Sequence, residues 1–289
     1  MINTRRFTIT VATFIILLSG CRPRIDTQQF ILEQNALFLE KQGRIHWEKR
    51  SNISDAQKAL HFLSLAYDLD ISNLELGILY SHTCYFNGRY IVADQAEKEA
   101  LFSHGAAATK TALLNAPSFS AAYNKAVGDS TAKFIQAVEA MEDTLLPALY
   151  WWMVNTGSIL INQPVVERIK NRVMIESVLH KLLIMNPTFY YGGPYRLLGV
   201  FYARIPGVEL RQSKSYFDQA ISSYPGYLST KTLLSQFYHT KSGEQEHFRS
   251  NLESVISSDP SQIPEVMPEN LFEQEIARSL LSQESLLFE

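Results

Sequence analysis

Three prolines close helical stretches in the second half of this chain. Pro187, Pro225 and Pro260 follow "IMNP", "SSYP" and "SSDP", and they stand 38 and 35 residues apart. Proline cannot continue a helix, so each marks a stop. A stop every thirty-odd residues leaves room for two helices and a turn. One such pair cannot bury its own apolar face and must stack on the next pair. This recurrence predicts an all-α chain built as an array of antiparallel helical hairpins. No run of alternating β-branched residues competes with it.

The best-defined unit lies in "FYYGGPYRLLGVFYARIPG" at 189–207 and the helix that follows. Gly193 suits an N-cap and Pro194 a first helical position. Tyr195, Leu198, Gly199 and Tyr202 then fall on one helical face. Pro206-Gly207 breaks the helix, and a second runs over 209–223 with Phe217, Ala220 and Ile221 on one side. This order resembles a degenerate tetratricopeptide repeat, with roles on Tyr195, Leu198-Gly199, Tyr202, Ser213, Phe217, Ala220 and Pro225. The expected architecture is therefore an α-solenoid or superhelix. A weaker unit follows on Leu234, Tyr238, Phe248, Leu252 and Val255, with Ser235 in place of the glycine. Earlier, "ALHFLSLAYDLD" reads as the second helix of such a unit. Ser54 with Gln57, and Ser72 with Glu75, match capping boxes. Asn87-Gly88 reads as a turn, 89–115 as one long helix, 118–163 as two or three helices, and 165–186 as one amphipathic helix beginning at Pro164.

The N-terminus carries a different signal. Arg5 and Arg6 precede the apolar run "FTITVATFIILL", which is too short to span a bilayer and suits the core of a signal peptide. It ends in Leu18, Ser19, Gly20 and Cys21, which resemble a bacterial lipoprotein box. The expected organisation is a signal peptide at 1–20 and a single helical domain at 21–289, lipidated on Cys21. An acylated cysteine such as a palmitoylated one would anchor the chain to a membrane facing the periplasm. Arg22 rather than an aspartate follows Cys21, which leans towards the outer membrane. Without Arg5 and Arg6 the formal net charge moves from −3 to −5, which does not favour nucleic acid as a partner. With Cys21 acylated, Cys84 has no partner for a disulfide and reads as a small buried residue.

Residues for catalysis or metal binding are hard to assemble. Gly193 and Gly199 are not followed by Lys-Ser/Thr, so no phosphate loop forms. Arg196 near a helix start is a weak anion candidate and reads first as a solvated side chain. No two histidines lie three or four residues apart, and there is no G-x-S-x-G elbow. Acidic neighbours such as Glu265 and Glu269 read as surface charge. No catalytic residue, metal ligand or cofactor is assigned. Two aromatic clusters stand out: Tyr150, Trp151 and Trp152, and Tyr190 and Tyr191 with Tyr195. Core packing explains most of them. Adjacent rings at 190–195 cannot all face one core, so these residues, with Arg196, are the candidate contacts for a ligand or partner.

The lipobox, "YSHTCYFNGRY" at 80–90, "ALYWWMVNTGSIL" at 148–160 and above all "NPTFYYGGPYRLLGVFYARIPG" at 186–207 together resemble the T component of TRAP-type transporters, the TatT family of periplasmic lipoproteins. Glu209-Leu210-Arg211 stands where that family's pattern has a glycine-rich turn. The resemblance implies a non-enzymatic, lipid-anchored adaptor. It would bind a periplasmic solute-binding protein, assemble as a homo-oligomer (a trimer) and carry an organic or hydrophobic ligand. The residues themselves also fit a repeat-type lipoprotein scaffold for envelope or outer-membrane assembly. A cryptic enzyme would need a buried carboxylate pair facing a polar cleft.

Overall fold

The computed structural model describes residues 27–289. The signal-peptide and Cys21 expectations lie outside the described residues. Among those residues every regular element is helical. Two helices, α1 (Thr27–Glu48) and α2 (Ile53–Leu69), form the first hairpin. The helices α3 (Leu74–Phe86) and α4 (Gln95–Asn115) form the second, and α4 lies along α7 (Leu146–Asn162). Between α4 and α7 run α5 (Pro117–Lys125) and α6 (Ser130–Glu139). After α7 come α8 (Val165–Lys170) and α9 (Arg172–Met185), then the hairpin of α10 (Phe189–Arg204) and α11 (Leu210–Ser223). The last layer holds α12 (Ser229–Leu233), α13 (Thr240–Ser242), α14 (Gln245–Ser257), α15 (Met267–Ser282) and α16 (Glu284–Leu287).

Several local readings shift. The caps of α2 and α3 are Asn52 and Asn73, whose side chains accept from Asp55 N and Leu76 N. Ser54 and Ser72 do not cap, because an asparagine one or two residues away reaches the same orphan amides. Asn87-Gly88 is no turn. Both are buried in a π-helical extension, Asn87–Ile91, and the expected long helix starts only at Gln95. Asn87 Nδ2 holds this π-helical extension by donating to Ala56 O and Thr83 O at 3.2 and 3.0 Å. The helix expected over 165–186 is two helices, broken at Asn171, with Pro164 as N-cap rather than first residue.

Glycine governs the packing of α10 on α11. A Cβ on Gly199 would come within 2.8 Å of the Phe217 ring, which is fully buried. Gly192 is the residue that faces Ala220: a Cβ added there would stand 3.3 Å from Ala220 Cα. The hairpin therefore closes at two levels, with Tyr202 stacked on Tyr216 beside them.

The array does not end open. Its late helix α15 returns to the first layers, and its tie points are charged. Arg50, just after α1, places Nε and Nη2 on the two carboxylate oxygens of Glu269 at 3.0 and 2.9 Å. Arg89 holds Glu273 in the same bidentate way, at 2.9 and 3.0 Å. The rings of Tyr90 and Phe272 stack on each other, and the Tyr90 hydroxyl donates to Glu273 Oε1 at 2.7 Å. Glu269 and Glu273 sit one helical turn apart, so both face the same seam. Glu269 was expected on the surface; it is buried because Arg50 meets it there.

Candidate functional site

The sequence-selected aromatics meet around Tyr190. In α10 the first residues are not right-handed helix. Tyr190, Tyr191 and Gly192 have φ of 44°, 57° and 73°, all left-handed. Gly192 adopts this freely, whereas two tyrosines there cost roughly 1–2 kcal/mol each. Gly193 and Pro194 then enter the right-handed part, later than a single helix from Phe189 would require.

The left-handed turn answers how adjacent rings share one interior. It rotates successive side chains differently from a helix, so Tyr190 and Tyr191 both reach Tyr227, with centroids 5.8 and 5.3 Å away. Tyr190 also packs edge-on to Trp151 and His82, and its hydroxyl shares a hydrogen bond with His82 Nε2 at 3.0 Å. His82 lies flat on Trp151 with centroids 3.7 Å apart.

Arg196 is not the solvated side chain expected. It is 4% exposed and supplies the donors that the turn needs. Nη1 donates to Tyr191 O at 3.0 Å, and Nη2 to Tyr190 O at 3.1 Å and the Tyr150 hydroxyl at 3.0 Å. Its guanidinium carbon stands 4.4 Å from the Tyr227 ring centroid. The charge is thus held by carbonyls and a π-face, and the strained backbone is held by the charge.

Trp151 belongs to this ring cluster, whereas Trp152 turns away from it to Phe134. Tyr195 is half-buried beside Tyr216, away from Tyr190. The cluster thus gathers Tyr150, Trp151, Tyr190, Tyr191 and Arg196 and leaves out Trp152 and Tyr195. His82, Tyr227 and Glu269 join it unforeseen. No local sequence signal marks them, because each arrives from a distant part of the chain: His82 from α3, Tyr227 from the connection between α11 and α12, and Glu269 from α15.

Burial sets the protonation of this interior. His82 is held well below the usual imidazole range, first by burial and then by Arg50. Burial pushes the Tyr150 phenol up to about 12 against the opposing pull of Arg196. Cys84 is free and buried, and burial pushes its thiol up to about 12, away from nucleophilic use. Glu269 and Glu273 are the buried carboxylates of this region. Each gives both oxygens to an arginine, and neither lines the cavity described next.

A lowered imidazole makes stability pH-dependent. Below about pH 6.5 the unfolded chain protonates His82 while the folded chain does not. Stability from this group is complete above that pH and is lost as pH falls towards the lower folded value, by about 1.4 kcal/mol per unit. A His82→Gln variant is expected to show a flatter stability–pH curve below pH 6.5 in urea unfolding. An unchanged slope would assign the acid sensitivity elsewhere.

Beside the cluster, α4, α7, α8, α9, α10 and the segment after α12 line a half-open cavity of about 400 Å³. This is within the roughly 300–1,000 Å³ of small-molecule sites. Met153, Val154, Leu197, Val200, Phe201 and Phe237 give it apolar walls. The charged residues that line it are Arg89, Lys98, Arg168 and Arg204, and no Asp or Glu does so. No group of His, Cys, Asp and Glu suited to a metal ion occurs among the described residues, and no described helix is long and apolar enough to cross a membrane.

No curated protein matches this sequence. A family model described as the TRAP transporter T-component matches residues 92–288, about two thirds of the chain. The match contains α4 to α16, most of the cavity wall and the left-handed turn; "YSHTCYFNGRY" at 80–90 lies outside it. With a helical array over the same residues, the chain belongs to the TRAP transporter T-component family.

Proposed function

We propose that this protein is the lipid-anchored, periplasm-facing adaptor of a TRAP-type transport system, binding an organic ligand with a substantial apolar part and docking on a periplasmic solute-binding protein. Family membership makes the chain a component of such a system. The observation that carries the ligand reading is the apolar cavity of about 400 Å³ inside the family-matched helices. A half-open, mostly apolar cavity of this size between helices has the dimensions and lining of a small-molecule site. The anchor on Cys21, the single helical domain from 21 onward, the outer-membrane location and a trimeric assembly belong to the same reading. The aromatic cluster around Tyr190 supports it from the inside. Its strained turn and buried Arg196 hold α10, one wall of the cavity, in place.

Two measurements test this. Native co-purification from the producing cell envelope is expected to recover a periplasmic solute-binding protein with the tagged, lipidated chain. Recovery of an outer-membrane barrel instead would favour an envelope scaffold and end the adaptor reading. Native mass spectrometry of the gently purified protein is expected to show a bound small molecule that Val200→Trp, which fills the cavity, excludes.

A further inference from the structure

The apolar cavity carries an unusual charge pattern. Arg168 and Arg204 line it near the C-terminal end of α7, and both donate to the same carbonyl. Arg168 Nη1 reaches Ile161 O at 3.4 Å and Gln163 O at 2.7 Å, while Arg204 Nη2 reaches Ile161 O at 2.9 Å. These bonds cap the last carbonyls of α7, and the helix dipole favours cations there. Capping does not use the two groups up. Arg168 Nη2 and Arg204 Nη1 have no acceptor among the described residues, and the Nε of each is buried without one. Neither arginine forms an ion pair with a carboxylate there, and none lines the cavity.

The arrangement is electrostatically costly as it stands. Burial, then the nearby Arg168, holds Arg204 below the usual guanidinium range. Lys241, whose Nζ donates to Ala203 O at 2.7 Å, is held down by burial, then by Arg204 and Arg168. Three cations thus share one neighbourhood with no protein anion between them. A guanidinium's free donors match a carboxylate in a planar, bidentate fashion. A carboxylate in the cavity would accept from Arg168 Nη2 and Arg204 Nη1, one oxygen to each, and relieve the repulsion, while the buried Nε groups stay out of its reach.

We propose that the cavity selects a single-chain amphiphile with a carboxylate head, which sits between Arg168 and Arg204 while its chain runs along Met153, Val154, Leu197 and Phe201. This rests on the reading of the cavity as a ligand site and adds the head group to it. Arg89 is already committed to Glu273, and Lys98, the other unpaired cation of the lining, stands on α4 away from the helix end. The head is therefore assigned to the arginine pair.

The test uses dodecanoate, dodecanol and dodecyltrimethylammonium below their micellar concentrations, with binding followed calorimetrically. Dodecanoate is expected to bind at least about tenfold more tightly than dodecanol, and the cationic chain most weakly. Added salt is expected to weaken dodecanoate and leave dodecanol unchanged. In the Arg168→Gln/Arg204→Gln double variant the preference is expected to fall to near parity, with dodecanol still bound. Arg168→Gln alone, which keeps Arg204 on Ile161 O, is expected to lose part of the preference if the double variant does not fold. A purely structural role would weaken both ligands alike and leave their ratio unmoved. Equal affinity for dodecanoate and dodecanol in the unaltered protein would overturn the head-group assignment alone. A preference abolished by Lys98→Gln and kept in the arginine variants would overturn its placement. Binding of none of the three to folded protein would overturn the ligand reading of the cavity along with it.

Discussion

An Arg50→Met protein is expected to lose about 3–5 kcal/mol of stability, the usual cost of stranding a buried charge. At this chain size that lowers Tm by roughly 10 °C. The physical ground is Glu269, which is 2% exposed and gives both oxygens to Arg50. Arg50 Nη2 also donates to Glu265 O at 2.6 Å, so its loss leaves a carbonyl unmet as well. Burial already raises the Glu269 carboxyl above the ordinary carboxylate range, with Arg50 pulling the other way. For a raised group, stability is complete below the unfolded pKa and is lost as pH rises through the folded one. Removing Arg50 raises it further, so the deficit of the variant should shrink as pH falls towards the carboxylate range. An Arg50→Met/Glu269→Met protein should recover most of the loss, because a well-packed apolar pair replaces a buried ion pair at little cost. If the single variant unfolds at the unaltered temperature, the seam between α15 and the first helices contributes nothing to stability.

A Gly193→Ala protein is the second large effect, expected at about 2–4 kcal/mol by overpacking and loss of a charge-assisted hydrogen bond. The added Cβ would fall 2.5 Å from the Tyr150 ring and its hydroxyl. Tyr150 is 1% exposed and cannot step aside. Displacing it breaks the bond from Arg196 Nη2, the same group that holds Tyr190 O in the left-handed turn. Tyr150→Phe removes only the hydroxyl and should cost less, about 1.5–3 kcal/mol. Chemical denaturation of both variants checks the order. A Gly193→Ala protein as stable as the unaltered one would mean that Tyr150 does not sit against α10.

The class of fold was legible because its causes are local and repeated. Helical periodicity and the stops at Pro187, Pro225 and Pro260 are properties of short windows. Caps slipped by one or two residues because serine and asparagine compete for the same amides, and only the final backbone angles choose between them. The first helix, α1, was missed because its apolar residues are spread around it; several, such as Leu37 and Phe38, remain exposed. Tyr150, Trp151, Tyr190, Tyr191 and Arg196 could be singled out by composition, but what they do could not. The left-handed turn at Tyr190 and Tyr191 contradicts local preference and persists only because Arg196 and Tyr227 hold it.

The all-helical repeat array, and through the motifs at 148–160 and 186–207 the family, can be read along the chain alone. Both follow from spacing along the chain, and spacing is conserved under folding. The return of α15 to Arg50 and Arg89, the burial of Glu269, and the convergence of Arg168 and Arg204 on Ile161 O beside an apolar cavity appear only once the helices are packed. These are meetings between residues far apart in sequence, about 219 positions for Arg50 and Glu269. Their energies come from desolvation and charge pairing, which exist only once the helices have closed around them.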